Sequence, residues 1–312
     1  MIGRTIANYR VLEEVGAGAS GTVYRAEHLT LGIPVALKFI HRYNLDDPAN
    51  RARFKHEARS AANLDHTAIC KVFDFEESND DAYIAMEFVE GEDLRSVIAD
   101  GPPPLDDAVL MAIQIAEGLE VAHQHDLIHR DIKPSNLMVT RPTDDRFQVK
   151  ILDFGIARSF DSTRLTKTGG IVGTMSYMSP EQATGRDVDR RTDIWSLGVC
   201  LYQMVTGQPP FTGDHDYAVQ YALIHSDPIP VGNRRPDAPP ELRRIISRAM
   251  QRDPDTRYRS AGGMLAAGRG LGGELVGETP GVRSGWWSYR TRLGRGGGAG
   301  GVGGGGGVWG RG

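Results

Sequence analysis

Cysteine is scarce in this chain. Cys70 and Cys200 are the only two in 312 residues, too few for a disulfide framework. Both sit among apolar neighbours and read as packed small hydrophobes in a reducing compartment. No Cys/His cluster has the spacing of a zinc site. Long hydrophobic runs are missing as well. No stretch reaches the ~18 apolar residues that a membrane span requires. The start, MIGRTIANYRVLEEV, has no continuous apolar run of the secretory kind. A cytoplasmic location is therefore expected. Positive charge is not in excess either. A formal net charge of -4 argues against a dedicated nucleic-acid binder.

What is present suits a large core. Hydrophobic residues make up 40% of the chain, and the length points to roughly two domains or lobes. Residues 9–15, 23–28 and 35–40 alternate like strands. Between the first two lies GAGASGTV, with Gly16, Ala17, Gly18 and Gly21. Such a turn brings backbone N–H groups close to phosphate oxygens because no Cβ intervenes. A dinucleotide fold would place a helix directly after these glycines, but another strand pattern, TVYRAEH, follows. No Gly-Lys-Ser/Thr follows either, so this is not a Walker loop. The glycines cap a hairpin, and by themselves fit phosphate contact and an ordinary turn equally well.

Lys38 lies in VALKFI, a run otherwise suited to burial. An interior lysine needs a partner, or must snorkel to water. Residues 48–64 have a helical period in Phe54, Ala58, Ala61 and Leu64. Glu57 on that helix is the candidate partner, its alternative being a solvated position. Residues 69–75 and 82–87 read as two more strands. Met86 then precedes EFVEGEDL, a connector whose backbone between Glu87 and Val89 suits a flat heterocycle. Met86 fits the back of that slot and a plain core position alike. From Pro104 the pattern turns helical. Asp107 is the expected cap of a segment with Val109, Ile113, Ala116, Leu119 and His123 on one face. Residues 194–205 are apolar on all sides and too short to span a membrane, so they read as a buried central helix.

The chemistry concentrates between residues 129 and 155, where HRDIKPSNLMV is followed by VKILDFG. Asp131 is placed to orient a hydroxyl and take its proton, and Lys133 to reach a phosphate in transfer. Asn136 and Asp153 offer hard oxygen ligands, which suit Mg²⁺ better than zinc. Each has a plain alternative: a turn aspartate, a surface lysine, a capping asparagine, an Asx turn before Phe154. Four such coincidences at these spacings are improbable.

Taken in chain order, GAGASGTV, VALK, Glu57, HRDIKPSN, DFG, SPE and DIWSLG are similar to the motif set of eukaryotic-type protein kinases, in the serine/threonine branch and the bacterial subgroup. The resemblance covers residues 9–268. It implies an α+β bilobal fold. Residues 9–90 would form a small lobe, a five-stranded antiparallel sheet plus one helix. Residues 91–268 would form a larger, mainly helical lobe. ATP and Mg²⁺, with Mn²⁺ as a substitute, are implied as cofactors. Gly16, Ala17, Gly18 and Gly21 would cover the phosphates, and Lys38 would contact them while paired to Glu57. Val23, Ala36 and Met138 would sandwich the adenine, with Met86, Glu87 and Val89 along its edge. Asp131 would be the base, assisted by Lys133. Asn136 and Asp153 would hold the metal. His129 would be structural, stacked with Ala61, Val72 and Phe154 and anchored by Asp193. Ser179 departs from the alanine usual before Pro-Glu, a mild change.

Residues 153–181 are expected to be a switch, with Thr166 and Thr168 as the phosphorylation candidates and Arg130 as the clamp. Thr163, Ser159 and Thr174 lie in the same segment, and Glu181 is expected to pair with Arg257. Protein substrates with Ser/Thr acceptors are the implied partners, with self-association for autophosphorylation in trans. A nucleotide-binding pseudokinase scaffold is the alternative function, which the intact Lys38, Asp131, Asn136 and Asp153 disfavour. A small-molecule kinase is disfavoured by Ser179-Pro180-Glu181 and the threonine-rich segment. Residues 269–312 hold 19 of the 39 glycines, six arginines and only Glu274 and Glu278 as acids. That composition is expected to be disordered. No membrane span or sensor domain follows in this sequence, so regulatory input is expected from elsewhere.

Overall fold

Alternation and turn chemistry set up the first layer. In the computed structural model, which describes residues 1–18, 21–41, 47–77, 82–143, 146–154 and 175–276, the chain opens with β1 (Thr5–Ile6), β2 (Tyr9–Gly18), β3 (Gly21–His28) and β4 (Ile33–Ile40). Gly18 and Gly21 pair across the β2–β3 hairpin. Only glycine fits at 21, since a Cβ there would lie 1.9 Å from the Phe39 carbonyl oxygen. In β4, Val35, Ala36 and Leu37 are all fully buried. The run is apolar because both of its faces are covered.

Helix α1 (Pro48–Ala62) starts on Asp47, whose side chain accepts the Ala49 N–H, with proline at the first helical position. Phe54, Ala58 and Ala61 on this helix, and Leu64 just beyond it, are buried, as the helical period predicts. Strands β5 (Val72–Glu77) and β6 (Ala82–Glu87) complete a sheet of order β1-β2-β3-β4-β6-β5. The five expected strands thus gain a two-residue edge strand. The strand expected from residue 69 starts only at Val72, because Ile69 instead makes a parallel bridge to Ile151. One apolar cluster lies on the cleft side of the sheet, with Val23, Ala36, Met86, Val89, Met138 and Leu152. A second lies inside its curl, around Tyr9, Leu37, Phe39 and Tyr83.

The larger lobe follows. A short β7 (Glu92–Asp93) leads to α2 (Leu94–Ala99) and α3 (Leu105–Gln124). Asp107 does not cap α3. Pro104 occupies the cap position and Asp107 is buried in the first turn, because the proline's fixed φ already starts the helix. Strands β8 (Leu137–Thr143) and β9 (Arg146–Ile151) join β7 in an antiparallel sheet. Then come α4 (Pro180–Ala183), α5 (Arg191–Thr206), α6 (Asp216–His225), α7 (Val231–Arg234), α8 (Pro240–Ala249) and α9 (Ala261–Val276). Helix α5 is buried along nearly its whole length and stops at Gly207, with φ of +78°. The fold is bilobal, a sheet lobe with one helix above a mainly helical lobe. Among the described residues no helix is long and apolar enough to cross a membrane.

Helix α9 corrects the expected start of the disordered tail, because it continues through Val276. Two of its glycines, Gly268 and Gly272, are packing residues. A Cβ on Gly268 would meet Ile113 at 3.2 Å, and one on Gly272 would meet Ile113 at 3.4 Å. Small residues let α9 approach α3 closely, and Leu271 is buried there. Burial against a neighbour offsets the poor helix propensity of glycine. The rest of the tail expectation, from residue 277, lies outside the described residues.

Candidate active site

The loop between α3 and β8 is fixed from below. Asp193, in the first turn of α5 and fully buried, accepts the backbone N–H of His129 at 2.9 Å and of Arg130 at 2.8 Å. It also contacts His123 Nε2 at 2.7 Å. It sits three residues after the N-cap position, Arg190, so it anchors the loop instead of capping its helix. His129 is fully buried, with Nε2 2.8 Å from the Leu152 carbonyl oxygen and its ring 4.9 Å from that of Phe154. Burial holds its imidazole below the usual histidine pKa. Ala61, Phe154 and the partly buried Val72 belong to one apolar cluster.

Two residues of the site carry strained backbone. Arg130 has φ of +63° and Asp153 has φ of +54°, a region that non-glycine residues seldom occupy. The strain turns the two side chains out of their local chain direction. Asp131 Oδ2 accepts a hydrogen bond from Asn136 Nδ2 at 3.0 Å and meets Lys133 Nζ at 3.0 Å. Asn136 Nδ2 also donates to the Asp131 carbonyl oxygen at 2.8 Å. The amide nitrogen of Asn136 is thus committed to Asp131, which leaves its oxygen as the group to face a cation. Asp153 contributes a carboxylate. These two hard oxygens suit Mg²⁺ carried by nucleotide phosphates, which supply further ligands of their own. Among the described residues no cluster of three or more His, Cys, Asp or Glu side chains forms a self-sufficient metal cage.

Across the cleft, Lys38 is 5% exposed. Its ammonium lies 2.8 Å from Asp153 Oδ2. The expected ion pair between Lys38 and Glu57 is not among those formed by the described residues. Glu57 instead faces Arg130, with 3.8 Å between Oε1 and Nη1. A buried ammonium needs a counter-charge, and Asp153 supplies it from the larger lobe. Arg130, turned by its positive φ, takes up the α1 carboxylate.

The slot behind these charges is apolar. Val23 and Ala36 from the sheet and Met138 from β8 belong to one cluster with Met86 and Val89. Glu87 ends β6 and its carboxylate meets Lys150 Nζ at 2.9 Å. Gly16 and Ala17 pair with Val23 and Thr22 in the hairpin above. The segment with Thr163, Thr166, Thr168, Thr174 and Ser159 lies outside the described residues. Just beyond it, Ser179 caps α4 in a reciprocal box with Gln182. Arg257 holds Glu181 through two bonds of 2.7 and 2.8 Å.

Sequence reasoning missed three contributors. His123 belongs to the Asp193 anchor. Gln182 Nε2 donates to the Arg130 carbonyl at 2.8 Å. Lys150 reaches the connector. Only Gln182 had a local signal, the Ser-x-x-Gln pattern of a capping box.

Known proteins resemble this chain in sequence and in fold. The protein kinase domain model matches residues 9–265, so the chain belongs to the protein kinase family. Within it, the chain is a catalytic domain of the eukaryotic-type serine/threonine class, with bacterial homologues. It is 40% identical over 265 residues to the serine/threonine-protein kinase PknB of Mycolicibacterium smegmatis, covering 83% of this chain and 42% of that protein. It is 40% identical over 279 residues to the probable serine/threonine-protein kinase SCO3848 of Streptomyces coelicolor, covering 87% and 41%. The crystal structure of the Mycobacterium tuberculosis PknI kinase domain superposes with a TM-score of 0.68 at 29% identity, covering 86% of this chain and 98% of that one. The chain thus spans about two-fifths of the length of these two curated relatives (42% and 41%).

Proposed function

We propose that this chain transfers the γ-phosphoryl group of ATP to serine and threonine hydroxyls of protein substrates. The observation that carries this reading is the setting of Asp131, whose Oδ2 is held between Asn136 Nδ2 and Lys133 Nζ at 3.0 Å each. A carboxylate so fixed orients an acceptor hydroxyl and takes its proton as the oxygen bonds to phosphorus and ADP departs. Lys133 offsets charge on the phosphoryl oxygens, and Lys38 binds the phosphates still attached to the nucleoside. Asn136 and Asp153 would hold Mg²⁺, or Mn²⁺ in its place, which supplies charge compensation when bound. Gly16, Ala17, Gly18 and Gly21 cover the phosphates. The adenine lies between Val23 and Ala36 above and Met138 below, edged by Met86, Glu87 and Val89.

Glu57 is the second partner of Lys38 in the reactive arrangement, reached when it leaves Arg130. Thr166 and Thr168 are the autophosphorylation sites, modified in trans by a second copy. The working unit runs from residue 9 to the end of α9 at Val276.

Incubation with labelled ATP, Mg²⁺ and a generic protein substrate, followed by phosphoamino-acid analysis, tests this reading. Phosphoserine and phosphothreonine are expected from the wild type and at most traces from Asp131→Asn. Equal, background labelling by both proteins, with ATP binding intact, would establish a scaffold instead. Phosphosite mapping that finds neither Thr166 nor Thr168 modified in active protein would remove the switch assignment.

A further inference from the structure

Lys150 touches the connector but has no role in the proposed reaction. It lies on β9, three residues before Asp153, and its register partner on β8 is Met138. Cross-strand partners share a face, and so do residues two apart on one strand. Lys150 therefore shares the face of Met138, which belongs to the apolar cluster of the slot together with Leu152, the residue just past the end of β9. From that floor its ammonium reaches Glu87 Oε2 at 2.9 Å, with side-chain exposures of 15% and 32%.

Glu87 is the last residue of β6, where the connector between the lobes begins. Its other groups are also held. Its N–H donates to the Lys71 carbonyl at 2.8 Å. The Lys71 N–H approaches its carboxylate at 3.4 Å. Its carbonyl accepts from Cys70 Sγ at 3.5 Å. The turn that supplies Cys70 is itself joined to β9, since Cys70 N–H donates to the Ile151 carbonyl at 2.9 Å and Ile151 N–H to the Ala68 carbonyl at 2.8 Å. Among the described residues, only the Lys150 contact joins the Glu87 side chain to the strand that leads into Asp153.

We infer that Lys150 is a positioning residue for nucleotide binding. Its ion pair with Glu87 sets the separation between the connector, along which the adenine edge lies, and the floor made by Met138 and Leu152. The inference rests on the nucleotide-site reading above and deepens it.

The test uses equilibrium binding, which reads the slot without phosphoryl transfer. Lys150→Met keeps the apolar stem and removes the charge. It is expected to weaken binding of a fluorescent ADP analogue roughly five-fold, as suits a partly buried pair. KM for ATP should rise in step while kcat stays within about two-fold. Lys150→Arg should restore binding to within about two-fold of wild type. In a Glu87→Gln background, Lys150→Met should cost nothing further. Binding unchanged in Lys150→Met would overturn the inference, as would a loss that Lys150→Arg fails to restore or that adds in full to Glu87→Gln. A wild type that binds the analogue but transfers no phosphoryl group would defeat the kinase reading alone, because the binding comparison still decides the role of Lys150.

Discussion

The two walls of the cleft are built to different standards. On the larger lobe, one buried carboxylate, Asp193, holds two backbone N–H groups and an imidazole, and Asn136 in turn holds Asp131 twice. The parts are fixed by short contacts, buried at His123 and His129 and part-buried at Arg130 and Asp131. On the sheet side, the functional charges are held by pairs that reach across the cleft. Lys38 meets Asp153 across the cleft, and Glu57 meets Arg130 at 3.8 Å, a looser contact in which the arginine is 38% exposed. Preorganised dipoles favour chemistry, whereas a weak, partly solvated pair is easily exchanged. One wall is thus a fixed template and the other an element that a small energy can move.

That contrast can be attacked from either side. The largest effect is expected from Arg257→Ala on the fixed wall. It leaves the buried Glu181 carboxylate uncompensated and should lower unfolding free energy by about 3–5 kcal/mol, read by denaturant titration. A loss below about 1 kcal/mol would mean that the loop tie is less rigid than its two short bonds imply.

The next effect is a pH dependence. Burial lowers the His129 pKa in the folded chain, so above the unfolded value of about 6.5 the ring is neutral in both states and its contribution is complete. As pH falls below that value the unfolded chain takes up a proton that the folded chain refuses. Stability then drops by up to about 1.4 kcal/mol per pH unit until the folded pKa is reached. His129→Phe should have lower stability at pH 7 but a flatter acid slope between pH 6.5 and 5, measured by chemical denaturation. An unchanged slope would place the titration elsewhere.

The smallest effect lies on the movable wall. Arg130→Gln removes a contact worth under about 1 kcal/mol. It should shift stability little and raise the rate of the unphosphorylated chain by no more than a few-fold, read as initial phosphorylation rate. A large stability loss would show that the wall is not free to move.

The same division explains what could be read in advance. Residues whose roles rest on fixed spacing, Asp131, Lys133 and Asn136, stand in one short loop, and the structure brings them into contact. The buried β4 and α5 were legible as apolar runs, and the link of Glu181 to Arg257 through the kinase resemblance. The partner of Lys38 was not legible. Spacing places Glu57 on α1 but cannot decide whether Glu57 or Asp153 meets the ammonium in this arrangement. His123 was missed because a histidine on an apolar helix face carries no sign of the aspartate 70 residues later that receives it. The extent of α9 was misjudged because its glycines weaken the helix locally, while the Ile113 side chain that they admit lies in α3. In each case the deciding contact is distant in sequence.

The most direct test is a single-turnover comparison of wild type and Asp131→Asn, each preloaded with Mg²⁺ and ATP. The account predicts nucleotide affinities within about three-fold of each other and phosphoryl transfer slower in the variant by roughly 10²–10⁴-fold, the usual worth of a positioned general base. Equal transfer by both proteins, or a defect confined to nucleotide binding, would contradict it.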